Sequence, residues 1–125
     1  MLPRCHWLGP NLTHLPAAAV ARREVAITLD DGPDPQVTPR VLDLLEAHNT
    51  RVSFFCIASQ AQRHPALCRD MVARGHSVEN HSHSHPHSFS VSGPQRVRAQ
   101  VQDAQNALSD ITGQAPRFFR APAGL

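Results

Sequence analysis

Three short stretches of this 125-residue chain carry side chains able to do chemistry together: "TLDDGP" (residues 28–33), "NHSHSH" (80–85) and "RAPAG" (120–124). The first sets two carboxylates, Asp30 and Asp31, side by side ahead of Gly32 and Pro33. Neighbouring side chains on a strand face opposite ways, so a turn forced by Gly32 and Pro33 is needed to bring both toward one site. The competing interpretation is an Asx-turn or a helix-cap aspartate.

The second stretch lies in a run from Gly75 to His87 that holds five of the chain's nine histidines. Histidines four apart can share one face of a helical turn, and neutral imidazoles are common ligands for zinc and related metals. His81 with His85 and His83 with His87 both have that spacing, so spacing alone leaves the choice open. A solvated His-rich loop is the bland alternative. His6, His14, His48 and His64 lie outside any cluster and read as surface residues. In the third stretch, Arg120 can pair with a carboxylate and hold it ionised, while the Pro and Gly shape a loop whose N–H groups approach a substrate. One carboxylate plus two histidines makes an open metal site with coordination left for water.

Positioning these groups requires strands that end near one another. "EVAITLD" (Glu24 to Asp30) is a β-branched run stopped by Gly32 and Pro33, hence a strand ending in a turn. "TPRVLDLLEAHN" predicts a helix with Thr38 as N-cap, Pro39 at its first position and an apolar face of Val41, Leu42, Leu44 and Leu45. A second buried strand spans Thr50 to Ile57, followed by a helical stretch interrupted near Pro65 and ended by Gly75. His76 to Glu79 is a brief strand candidate. Gly93 and Pro94 open a helix in which Val97, Val101, Ala104, Leu108 and Ile111 recur at steps of four and three. Arg117 to Arg120 is the last strand candidate, with Phe118 and Phe119 as core. Strands alternating with helices mean parallel βα units, and ligands then gather at the carboxyl ends of the strands, where all three stretches fall.

Composition excludes several classes. The hydrophobic share of 41% without a low-complexity tract indicates one globular unit rather than a disordered chain. Net charge is +2 with scattered arginines, which argues against a nucleic-acid partner. Asn11, Thr13 and His14 interrupt the N-terminal candidate for a secretory apolar region, and no stretch approaches the roughly 18 apolar residues of a membrane span. The expectation is a cytoplasmic chain with no membrane segment, export being open if the true N-terminus lies upstream. Cys5, Cys56 and Cys68, odd in number and without a CxxC pair, suit free thiols better than a disulfide framework.

Taken in order and spacing, "TLDDGP", "NHSHSH" and "RAPAG" resemble the first three motifs of the polysaccharide deacetylase family, the NodB-homology or carbohydrate esterase 4 domain. The resemblance runs from about Glu24 to the last residue, so it implies a lead-in over 1–23 and a NodB-homology domain over 24–125, incomplete at its C-terminus. It implies an α/β fold, a partial and distorted (β/α) barrel that stops after the third motif. It also implies a hydrolase that removes N-acetyl, and in some members O-acetyl, groups from a polysaccharide or oligosaccharide with a divalent metal, commonly zinc.

Position by position, Asp30 resembles the catalytic base and Asp31 the metal-binding carboxylate. Gly75, His76 and Asn80 set the frame of the second motif, so His81 and His85 match the metal-binding histidines, Ser82 the family's Ser/Thr, and His83 and His87 become bystanders. Arg120 matches the arginine that orients the base, with Pro122, Ala123 and Gly124 in the substrate loop. Ala123 stands where an aromatic residue is often found. The implied chemistry has metal-activated water attacking the acetyl carbonyl as Asp30 takes its proton, with a backbone N–H near Ala123 helping the oxyanion. The family's general-acid histidine belongs to a late motif that this sequence does not contain. Two other function classes compete: a catalytically silent metal- or glycan-binding fragment lacking that acid, and a non-haem iron oxygenase with a two-histidine, one-carboxylate triad. The paired aspartates and the βα order disfavour the second of these. Oligomeric state and the acetylated substrate leave no signature in the sequence.

Overall fold

β-branched and aromatic side chains build a parallel sheet whose two faces do different work. The computed structural model of the protein describes residues 10–122. Strands β1 (Thr28–Gly32), β2 (Ser53–Cys56) and β3 (Ser77–Asn80) lie in that order, all parallel. A short helix α1 (Ala17–Ala21) precedes them; α2 (Thr38–Ala47) follows β1, α3 (Ala58–Arg63) and α4 (Pro65–Ala73) follow β2, and α5 (Pro94–Thr112) follows β3. The βα alternation expected from the sequence is therefore present. Among the described residues no helix is long and apolar enough to cross a membrane.

Register assigns the faces. Leu29, Phe54 and Val78 align across the three strands, as do Asp30, Phe55 and Glu79 in the next row. Because side chains alternate along a strand, the first row and Cys56 face the helices, where they pack with Leu42, Met71, Ala104 and Leu108. Burying a side chain such as Leu42 or Leu108 contributes about 1.5–3 kcal/mol. Thr28, Asp30, Phe55 and Glu79 point to the opposite, inner face, which is where chemistry gathers.

Helix ends follow local backbone rules. The break at His64 falls just ahead of Pro65, whose missing N–H is tolerated at the first position of α4. Gly113, at φ 72°, closes α5 by donating its N–H to the Ser109 carbonyl at 2.8 Å. Arg74 ties α4 to α2, donating to Asp70 at 3.0 Å, Asp43 at 3.0 Å and Glu46 at 2.8 Å. Cys56 and Cys68 are free, buried thiols, and Cys5 lies outside the described residues.

Several expectations need correction. The first strand begins at Thr28, not Glu24: Val25 and Ile27 are exposed rather than buried as a core strand requires. The second runs from Ser53 to Cys56, and the third reaches Asn80. Thr38 is not the cap of α2 but a buried helical residue whose Oγ1 accepts the Asp34 N–H, while Asp34 Oδ1 accepts the N–H groups of Gln36 and Val37. The Asx-turn weighed for Asp30 and Asp31 thus belongs to Asp34, and those two backbone donors hold its carboxyl pKa below the ordinary value. Leu44 is exposed, since it stands about 200° around the helix from buried Leu42. The expected strand at Arg117–Arg120 shrinks to one parallel bridge between Phe119 and Asn80, and Phe118 is exposed with the Arg117 guanidinium over its ring.

Candidate metal centre

Asp30 and Asp31 reach one site through a bulge rather than through the turn after them. Asp30 pairs with Phe55 and Gly32 with Cys56, so Asp31 is an extra residue in β1. Its φ of 71° is the left-handed conformation that a bulged residue can require. The extra residue breaks the alternation, and the Asp31 carboxylate leaves the strand at its carboxyl end instead of turning toward the helices.

There it meets His81 and His85. The Nε2 atoms of both lie 3.3 Å from Asp31 Oδ1, and one ligand atom from each of the three residues falls within 4.8 Å of the others. Asp31 is exposed, His85 partly buried and His81 buried, so the cluster is open to solvent on its Asp31 side. The two histidines do not share a helical turn, as their spacing suggested; the segment is irregular. Positive φ at Ser82 (68°) and His85 (49°) folds the chain back instead. Asn80 Oδ1 accepts the Ser82 N–H, Ser82 Oγ accepts the His85 N–H, and Ala58 and Ser59 at the start of α3 donate to the carbonyls of Ser82 and His83. Asn80 is itself held by donating to Val101 O and Gln105 Oε1 on α5. His83 and His87 stay out of the cluster: His83 Nδ1 is buried without a hydrogen-bond partner among the described residues, and His87 is exposed.

Arg120 serves both halves of the site. Its Nη1 donates to Asp30 Oδ1 at 2.6 Å and to Thr28 Oγ1 at 2.9 Å, with Cζ 4.1 Å from the centroid of the Phe55 ring. Its carbonyl accepts from His81 Nδ1 at 2.7 Å. A carbonyl can only accept, so Nδ1 carries a proton, and in the neutral ring that leaves Nε2 a lone pair facing Asp31 Oδ1. Two acceptors facing each other at that distance are a donor set for a cation, and imidazole nitrogen with carboxylate oxygen suits a divalent metal such as zinc. Pro122 is buried; Ala123 and Gly124 lie outside the described residues. Thr28, Phe55 and Glu79 carry no motif of their own; Thr28 two residues before Asp30 and Glu79 two before His81 were the available signal, and for Phe55 there was none.

The strand ends of a parallel α/β sheet gather Asp31, His81 and His85 as a group that could hold a metal ion, with Asp30 and Arg120 paired alongside. The family pattern of polysaccharide deacetylases matches residues 17–125, and the chain belongs to that family. The match begins ahead of Glu24 and takes in α1. A chitooligosaccharide deacetylase of Sinorhizobium fredii is 40% identical over 115 residues, 91% of this chain and 53% of that protein. A peptidoglycan-N-acetylglucosamine deacetylase of Bacillus cereus is 37% identical over 103 residues, 82% of this chain and 37% of that protein. Among solved structures, a family 4 acetyl xylan esterase of Clostridium thermocellum with a bound cobalt ion superposes with a TM-score of 0.71 at 36% identity, covering 78% of this chain and 47% of that one. The chain spans about half the length, or less, of these relatives.

Proposed function

We propose that this chain carries the metal-binding and base-bearing part of a deacetylase that hydrolyses N-acetyl groups on N-acetylglucosamine-containing glycans, built on one portion of a (β/α) barrel. The observation that carries the reading is the convergence of Asp31, His81 and His85 within 4.8 Å, beside an Asp30 held by Arg120. The glycan class is supported by the two curated relatives, a chitooligosaccharide deacetylase and a peptidoglycan-N-acetylglucosamine deacetylase.

Asp31, His81 and His85 would hold a divalent metal, zinc by donor type, which when bound supplies Lewis-acid activation of water and of the acetyl carbonyl. Asp30 takes the proton of the attacking water, and because Arg120 occupies Oδ1 the second carboxylate oxygen receives it. Thr28 and the Phe55 ring fix the guanidinium that does this. Ser82 holds the loop that returns His85, and the Arg120 carbonyl fixes the His81 tautomer so that Nε2 stays available.

Calorimetric zinc titration of the chain, paired with His81→Ala and circular dichroism, tests the reading, followed by acetate release from acetylated chito-oligosaccharide and acetylated xylan. One-to-one binding lost in the variant, with acetate released from the chito-oligosaccharide, is the expected result. A folded chain that takes up no zinc overturns the metal site, and release from xylan alone overturns the substrate class.

A further inference from the structure

On the inner face of the sheet Glu79 is only 1% exposed, and its Oε2 accepts two backbone N–H groups, from Arg117 at 2.8 Å and Phe118 at 2.9 Å. A carboxyl group is costly to bury unless it is hydrogen-bonded, and an apolar side chain beside Phe55 would serve the sheet alone. The two N–H groups belong to the stretch 117–120. That stretch also meets β3 at Asn80, whose N–H donates to the Phe118 carbonyl at 3.0 Å and whose carbonyl accepts the Arg120 N–H at 2.9 Å. From its far end Arg120 sends the guanidinium to Asp30 and offers its carbonyl to His81.

We infer that Glu79 is a positioning residue: by clamping the Arg117 and Phe118 N–H groups it sets the register and tilt of the stretch that orients both Asp30 and His81. Asn80 ties that stretch through its backbone, Gln105 Nε2 donates to the Pro116 carbonyl just ahead of it at 2.7 Å, and Phe119 packs on Phe89; the Glu79 carboxyl, one residue earlier on β3, is the tie that holds the Arg117 and Phe118 N–H groups themselves and so fixes their angle. A single carboxylate therefore couples the base to a metal ligand through the backbone of Arg120. The contact stands on its own geometry, while its consequence for metal binding and turnover rests on the function proposed above.

The test compares the intact chain with Glu79→Met, which keeps the side-chain length without an acceptor, and Glu79→Gln, which restores an acceptor oxygen. Long-range nitrogen–proton NMR of the imidazoles reads the His81 tautomer, amide exchange reads the Arg117 and Phe118 N–H groups, and calorimetry reads zinc affinity. The expected result is a single Nδ1–H tautomer and slow Arg117 and Phe118 amides in the wild type and in Glu79→Gln. Glu79→Met should show a mixed tautomer, fast amides and zinc affinity lower by roughly tenfold, the low end for losing an outer ligand support. Wild-type tautomer and affinity in a folded Glu79→Met overturn the inference, and so do fast Arg117 and Phe118 amides in the wild type, whatever the variants do. If the wild type takes up no zinc while Glu79→Met still loses the tautomer, the metal reading fails and the positioning role stands.

Discussion

Arg120 reaches Asp30 across the full width of the sheet, Nη1 to Oδ1 at 2.6 Å, from a stretch bridged to β3 to a residue on β1. Its path lies over the Phe55 ring of the middle strand. The contact closes the inner face of three strands with one side chain.

Because that side chain forks to Thr28 and Asp30 and stacks on Phe55, lysine is a poor replacement: an ammonium is a point charge with no plane to stack. Arg120→Lys should keep the fold and lower acetate release by roughly 10²-fold, the scale of a misplaced reacting group. Steady-state rates on acetylated chito-oligosaccharide with matched circular dichroism check this; equal rates would mean that Asp30 needs no such hold.

The four histidines from 81 to 87 should divide into two classes. His81→Ala and His85→Ala are expected to weaken zinc binding by more than the 10–100-fold typical of losing an outer-shell support, about the scale below which a ligand role is not credible. His83→Ala and His87→Ala should leave it unchanged, since neither side chain enters the cluster with Asp31. Calorimetry on the four variants decides, and loss of binding on removing His87 would redraw the site.

His76 predicts a pH dependence of stability. It is 6% exposed, and its Nδ1 accepts the Val52 N–H at 3.3 Å, which a protonated ring cannot do. Burial, and then the charges of Arg74 and Arg51, hold its pKa below the ordinary value. Below about pH 6.5 the unfolded chain therefore takes up a proton that the native state refuses. The contribution is complete above that pH and is lost as pH falls toward the native-state pKa, at up to about 1.4 kcal/mol per pH unit. The stability advantage of wild type over His76→Gln, from urea midpoints, should shrink as pH falls from about 7 to about 5. A pH-independent difference would show that the ring titrates alike in both states.

Gly75 ends α4 at φ 86°, donating its N–H to the Val72 carbonyl at 2.9 Å. A Cβ there would adopt a strained conformation and come within 3.0 Å of the Arg51 side chain, whose flexible end can move aside. Gly75→Ala should therefore cost about 1–2 kcal/mol, the left-handed backbone penalty alone. A urea midpoint unchanged from wild type would show that the helix end can reorganise.

The order of elements was open to inspection in the sequence. A β-branched run, a break at Pro65 and the four-and-three rhythm of Val97 to Ile111 depend on local propensity, which acts before tertiary contacts form. Asp30, Asp31, His81, His85 and Arg120 were singled out through the resemblance of three stretches to a family, since spacing alone left two histidine pairs open.

How those residues meet was decided only by the tertiary structure. The bulge that frees Asp31 exists because Asp30 and Gly32 pair with neighbouring residues of β2, and one strand alone holds no record of that pairing. His81 and His85 converge through left-handed backbone at Ser82 and His85, held by Asn80 and by the first N–H groups of α3, not through the helical turn their spacing suggests. Glu79 reads as one more strand residue until the 117–120 stretch folds over it and makes its carboxyl a buried acceptor. Spacing along a chain limits which side chains can meet, while pairing between distant segments selects the backbone conformation that makes them meet.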